Sequence, residues 1–148
     1  MSIWYHFVAT DEHPITMDGI EAALRSWNRK FYVDGEYLVQ KPTADAEPDY
    51  DEDSADLVCG IVELRALEAG LDDEDLVEEA NTLKERARVL DVFRRARQLV
   101  RVQVVNGGGM GGQAEETIHP LWEWLLANCQ GMLLAEGGEF FDRAGRIE

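Results

Sequence analysis

Apolar and aromatic side chains fill Ile3-Trp-Tyr-His-Phe-Val-Ala9, a run that predicts a strand covered on both faces, with His6 on the Trp4/Val8 side of the alternation. Asp11-Glu-His-Pro14 breaks it. Thr16 or Asp18 then caps a helix whose apolar positions Ile20, Ala23, Leu24 and Trp27 step at helical spacing and which ends at Asn28. Two short apolar runs follow, Phe31-Tyr-Val33 and Tyr37-Leu-Val39. Asp34-Gly35 between them predicts a hairpin with a type I′ turn, because that dipeptide tolerates positive φ. The first unit therefore reads β-α-β-β, with the hairpin returning beside the first strand.

From Leu57 to Ala69 the apolar residues Leu57, Val58, Ile61, Val62, Leu64 and Leu67 fit a helix capped by Ser54 or Asp53 and closed by Gly70. A buried strand over Leu57–Val62 is the alternative, since so short an apolar run does not discriminate by period. Helix is the preferred reading. Asp72 to Asp75 then load a helix N-terminus with negative charge, and Leu76, Ala80, Leu83, Ala87, Leu90 and Phe93 step by three and four along one face.

The last third repeats the plan of the first. Leu99–Val105 reads as a strand, His119-Pro120 opens a helix as His13-Pro14 precedes one, and Leu121, Trp122, Leu125, Leu126 and Cys129 supply its apolar face. Met132–Glu136 and Glu139–Asp142 flank Gly137-Gly138 as a second hairpin, and Gly-Gly-Glu-Phe there matches Asp-Gly-Glu-Tyr at 34 to 37. The expected fold is α+β. Two pseudo-duplicated, ferredoxin-like β-α-β-β units form a mainly antiparallel sheet with a helical insert between them. One domain spans 1–148, divided into a first unit at 1–42, an acidic linker at 43–56, the insert at 57–98 and a second unit at 99–148.

Charge narrows the class of partner. Thirty acidic residues against 14 basic ones leave a net charge of −16, a field that repels nucleic-acid phosphates and anionic lipid and attracts basic protein surfaces. No apolar run is long enough for a membrane span. Two cysteines, Cys59 and Cys129, without C-x-x-C spacing, suit free thiols in a cytoplasmic protein with no zinc site. The rhythm Asp49-x-Asp51-x-Asp53 invites a calcium loop, but Ser54 stands where glycine is needed and Gly60 where a bidentate glutamate is needed.

Gly107, Gly109 and Gly112 satisfy the G-x-G-x-x-G spacing of a dinucleotide fingerprint. A true fingerprint starts its helix at the glycines, whereas Pro120 suits a helical first turn several residues later, and only twelve residues follow Glu136. The stretch Asn106–Ile118 is read instead as a lengthened connection, with no cofactor and no metal implied. Asn106, Gly107, Gly109, Gly112, His119, His13 and Trp124 are the candidate ligand- or partner-contacting residues. The histidines hold equivalent positions before a helix, and Trp124 falls off the main apolar face while the other tryptophans read mostly as core. Lys84, Arg86, Arg88, Arg94, Arg95, Arg97 and Arg101 read as cations balancing nearby acids rather than as a phosphate site.

No serine sits in a nucleophile elbow and neither cysteine has a base beside it in sequence, so no catalytic residue is assigned. The expected function is that of a non-enzymatic, immunity-type or regulatory module binding a basic protein partner. A small-ligand or nucleotide-binding protein using residues 107–112 and His119, and a homodimer formed by edge strands, are the alternatives.

Overall fold

A computed structural model describes residues 2–27, 29, 31–40, 57–68, 70–105, 113–135 and 139–147. The elements follow in the order β1 (Ser2–Ala9), α1 (Met17–Trp27), β2 (Phe31–Asp34), β3 (Tyr37–Gln40), β4 (Leu57–Ala66), α2 (Glu74–Ala80), α3 (Arg86–Arg95), β5 (Gln98–Val105), α4 (Gln113–Asn128), β6 (Gly131–Ala135), β7 (Glu139–Asp142) and β8 (Gly145–Ile147). The class is α+β. Eight strands form one sheet in the order β2-β3-β4-β5-β1-β6-β7-β8, and every neighbouring pair is antiparallel.

Both sheet faces carry a core, as the unbroken apolar reading of β1 anticipates. Tyr5, Phe7 and Ala9 point to one face and pack with Val100, Val102 and Val104 under Ile20 and Leu24 of α1 and Leu121, Trp122 and Leu125 of α4. Val8, Leu99, Met132, Leu134, Phe140 and Ile147 face the other way against Leu76 and Ala80 of α2 and Val89 and Phe93 of α3. Strand periodicity divides the side chains between two helical layers. No polar or charged side chain among the described residues is buried.

Several local expectations hold. Of the two residues offered as the α1 cap, Thr16 takes the role, its Oγ1 accepting from Gly19 N–H at 3.1 Å; the acids at 72–75 do mark a helix N-terminus, where Asp73 Oδ1 caps α2 by accepting from Asp75 N–H at 3.0 Å and Leu76 N–H at 3.3 Å. The first hairpin forms with a shifted turn. Asp34 pairs with Tyr37, so the loop is Gly35-Glu36, and only Gly35 has positive φ (62°), the sign pattern of a II′ rather than a I′ turn. The second hairpin pairs Ala135 with Glu139, its Gly137-Gly138 turn lying outside the described residues.

Other expectations are corrected. Residues 57–66 are strand β4, not a helix, so the insert between the two units is only partly helical. Gly60, Val62 and Leu64 alternate with Ile61, Glu63 and Arg65, and β4 is paired on both sides, by β3 and β5. The first hairpin does not return beside β1: β3 pairs with β4, leaving β2 at the sheet edge. The single helix over 72–93 is two, separated by turns at 81–85. Trp27, expected in the core, is 66 % exposed at the end of α1.

Helix α4 starts at Gln113, directly after Gly112, and carries Pro120 inside it rather than in its first turn. Strands β5 and β6 run parallel but are separated by antiparallel β1, so the sheet is not the open parallel sheet of a dinucleotide-binding fold. The order β-α-β-β-β occurs twice, with an extra strand in each copy. The neighbours do not repeat: a two-fold axis between β1 and β5 would bring β6 onto β4, not onto β2, its expected counterpart.

Candidate functional site

The first site grows out of the spacing on α4. His119, Trp122, Glu123 and Leu126 recur at three and four residues and share one side of the helix, which overlies Tyr5 of β1 and Leu133 and Ala135 of β6. With Phe141 of β7 they line a cavity of about 500 Å³. The Tyr5 and Trp122 rings lie 5.2 Å apart between centroids, tilted by 32°. Trp122 Nε1 is a buried donor without an acceptor among the described residues.

Charged groups ring this apolar floor. His119 Nε2 stands 3.3 Å from Glu123 Oε1, both side chains exposed. Arg143 donates from Nε to the Leu126 carbonyl at 2.9 Å and from Nη2 to the Cys129 carbonyl at 3.4 Å, satisfying acceptors at and just beyond the C-terminal end of α4. Asp142 accepts from Arg88 Nη1 at 2.7 Å. Glu139 forms no ion pair with a described cation.

A second, smaller cleft of about 270 Å³ opens on the opposite sheet face, where Trp4, His6 and Arg101 meet Asp73, Asp75 and Glu79 from the α2 segment. Arg101 lies 4.7 Å from the Trp4 ring centroid, and its Nη1 is 3.2 Å from Glu63 Oε2. Burial, and then Arg101, push the His6 pKa down, so the ring favours its neutral form. Burial, reinforced by Asp75 and Asp73, pushes the Glu79 carboxyl up. Asp72, Asp73, Glu74, Asp75, Glu78 and Glu79 form no ion pair with a described cation.

The structure separates the sequence-derived candidates. His13 and Trp124 meet in a third cleft of about 420 Å³ with Asp11, Ile15, Gly19 and Cys129. There Gln98 fastens the chain entering α1: its Nε2 donates to the His13 carbonyl at 2.7 Å and its Oε1 accepts from Ile15 N–H at 2.8 Å. His119 lines the first cavity instead, so the two histidines share no site, and His119 lies within α4 rather than before a helix. Trp124 is half-buried against the core rather than standing clear of it. Asn106, Gly107, Gly109 and Gly112 lie outside the described residues, as does the whole aspartate-rich stretch at 43–56. No group of three or more metal-ligating side chains occurs among the described residues.

Of the arginines singled out in the sequence, Arg88, Arg94, Arg95, Arg97 and Arg101 are held by carboxylates, and Arg86 donates to the Leu83 carbonyl at 3.3 Å. Arg94 and Arg95 both reach Asp91, the latter at 2.9 Å, Arg97 reaches Glu12 at 3.7 Å, and Arg88 is shared by Glu85 and Asp142. The Arg95 hydrogen bond leads the contributions that hold the Asp91 carboxyl low. Both thiols favour the protonated form: burial pushes Cys59 up to about 11, and burial together with Asp11 raises Cys129.

Sequence reasoning missed the His6 cleft and the walls of the α4 cavity. A signal for the former existed: His6 and Arg101, on strands read as such, take the same side once β1 and β5 pair in the register His6↔Arg101. No protein-family model, curated protein or solved structure matches this chain, so its function rests on these sites. No helix among the described residues is long and apolar enough to cross a membrane.

Proposed function

We propose that this protein is a non-enzymatic binding module for a basic surface on a protein partner, of the immunity-type or regulatory kind and cytoplasmic in setting. The observation that supports it is the acidic ridge of Asp72, Asp73, Glu74, Asp75, Glu78 and Glu79, which has no ion-pair partner among the described residues, while most cations on and around α3 are matched to acids. Like charges on one ridge, in a chain of net charge −16, accelerate encounter with a cationic surface and select against anionic ones. A homodimer through the sheet edges is less favoured, because β2 has four residues and β8 three.

The test compares two variants with four carboxylates neutralised in each. One is Asp72→Asn, Glu74→Gln, Asp75→Asn and Glu78→Gln, which keeps the Asp73 cap; the other is Asp18→Asn, Asp34→Asn, Glu36→Gln and Glu68→Gln. A basic protein captured by the wild type at low salt should be lost with the first variant and kept by the second. Equal loss with both would reduce the attraction to bulk charge and defeat the proposal.

The small-ligand reading keeps a place because His119 stands at the mouth of an apolar cavity of ordinary ligand size, about 500 Å³.

A further inference from the structure

Helix α4 packs against β4, β5 and β6, and the sheet runs on past it to β7. The α4 cavity is the step between helix and sheet. Its floor carries three aromatic rings, Tyr5, Trp122 and Phe141, with Leu133 beside them. Rings of this kind favour a flat apolar body, and their faces favour a cation over an anion.

The polar groups select the charge of what enters. Three carboxylates, Glu123, Glu139 and Asp142, line the cavity against one guanidinium, Arg143, which keeps its charge while it donates to two backbone carbonyls. Asp142 is engaged by Arg88 and Glu123 stands beside His119. Glu139 is left as a carboxylate at the start of β7, opposite Ala135 and without an ion-pair partner among the described residues. The net field of −16 works in the same direction, against carboxylates and phosphates.

We propose that this cavity binds a small aromatic amine, its ring against Tyr5, Trp122 and Phe141 and its ammonium group towards Glu139. The proposal rests on the small-ligand reading and is independent of the basic-partner reading.

Three probes of similar size separate the possibilities: phenethylamine, 2-phenylethanol and 3-phenylpropionate, titrated into the ¹⁵N-labelled chain at 0.3 M salt, where long-range attraction is screened. The amine should shift the Trp122 Nε1–H resonance, identified by its loss in Trp122→Phe, and should bind at least tenfold more tightly than the carboxylate. Glu139→Gln should weaken the amine about three- to tenfold and leave the alcohol unchanged. Equal affinity for amine and carboxylate, or equal weakening of all three by Glu139→Gln, overturns the assignment of class while sparing the cavity as a ligand site. No binding of any probe removes the small-ligand reading together with this proposal.

Discussion

Gly131 opens β6 opposite Ala9 of the central strand β1, and a single added methyl group there tests how closely the two strands approach. A Cβ at Gly131 would lie 2.0 Å from the Val8 carbonyl oxygen and 3.0 Å from Ala9 Cα, whereas ordinary contact begins at 3.4 Å. Both neighbours are backbone, so no side chain can swing away. Relief requires β6 to move by about 1.4 Å, which also breaks the adjoining bond from Thr10 N–H to the Gln130 carbonyl at 2.8 Å. That bond and one neighbouring β1–β6 ladder bond, at about 1 kcal/mol each, with loosened packing around Met132 and Val8, put Gly131→Ala near 3 kcal/mol of destabilisation. That corresponds to a fall in Tm of roughly 10 °C.

Urea unfolding followed by far-UV circular dichroism measures this directly, with Gly60→Ala as the control. A Cβ at Gly60 would meet the tips of Leu38 and Val102 at 3.4 Å, contacts that side chains accommodate, so its cost should stay below about 1 kcal/mol. An unchanged m value would show that both variants unfold from the same native state. A Gly131→Ala variant within 1 kcal/mol of wild type, or a Gly60→Ala variant equally damaged, would refute the close-approach argument.

Two further outcomes follow from individual side chains. Cys59 is fully buried and its thiol is pushed up to about 11 from an ordinary value of 9.0, so the folded state holds a proton that the unfolded chain releases. The associated stability, roughly 2–3 kcal/mol, should be present in full below pH 9 and lost as pH rises through 11. Stability curves between pH 8 and 11.5 should fall less steeply for Cys59→Ala than for the wild type, and parallel curves would contradict the burial argument. Asp73→Ala removes the acceptor for two amides at the start of α2 and should cost about 1 kcal/mol, with faster hydrogen exchange at Asp75 and Leu76, while Asp73→Asn retains most of the cap.

The elements that sequence reasoning placed well are those whose signals are local. Thr16 is a cap by residue type, the acids at 72–75 mark the start of α2 by charge, and the first hairpin is set by a glycine between two apolar pairs. Even there, a one-residue difference in turn position exchanges type I′ for II′ signs, because Asp34 pairs with Tyr37 instead of entering the loop. At β4 a usable signal was present. Val62 and Leu64 alternate with Glu63 and Arg65, a period of two that the apolar spacing of 57, 58, 61, 64 and 67 masks by fitting a helix as well.

Pro120 misled for a related reason. Proline is favoured in a first helical turn, but α4 carries it internally, at the cost of one main-chain donor. Strand order was beyond local pattern altogether, since the neighbours of β1 are β5 and β6, far away in sequence, with pairings such as Ala9↔Gln98 and Tyr5↔Ala135. The candidate site shows the same division. His119 and Trp122 belong to one readable helix, whereas Tyr5, Leu133 and Phe141 come from three strands whose adjacency only the sheet establishes.

The central claim, that a basic partner is met by the α2 ridge rather than by charge spread over the whole chain, is tested most directly by mapping where a cation docks. An arginine-rich peptide titrated into the ¹⁵N-labelled protein at 0.1 M salt should shift amide resonances in residues 72–79 and around His6 and Trp4. The shifts should vanish in the variant carrying Asp72→Asn, Glu74→Gln, Asp75→Asn and Glu78→Gln. Shifts of equal size at acidic positions throughout the described chain, or shifts that survive in that variant, would contradict the account.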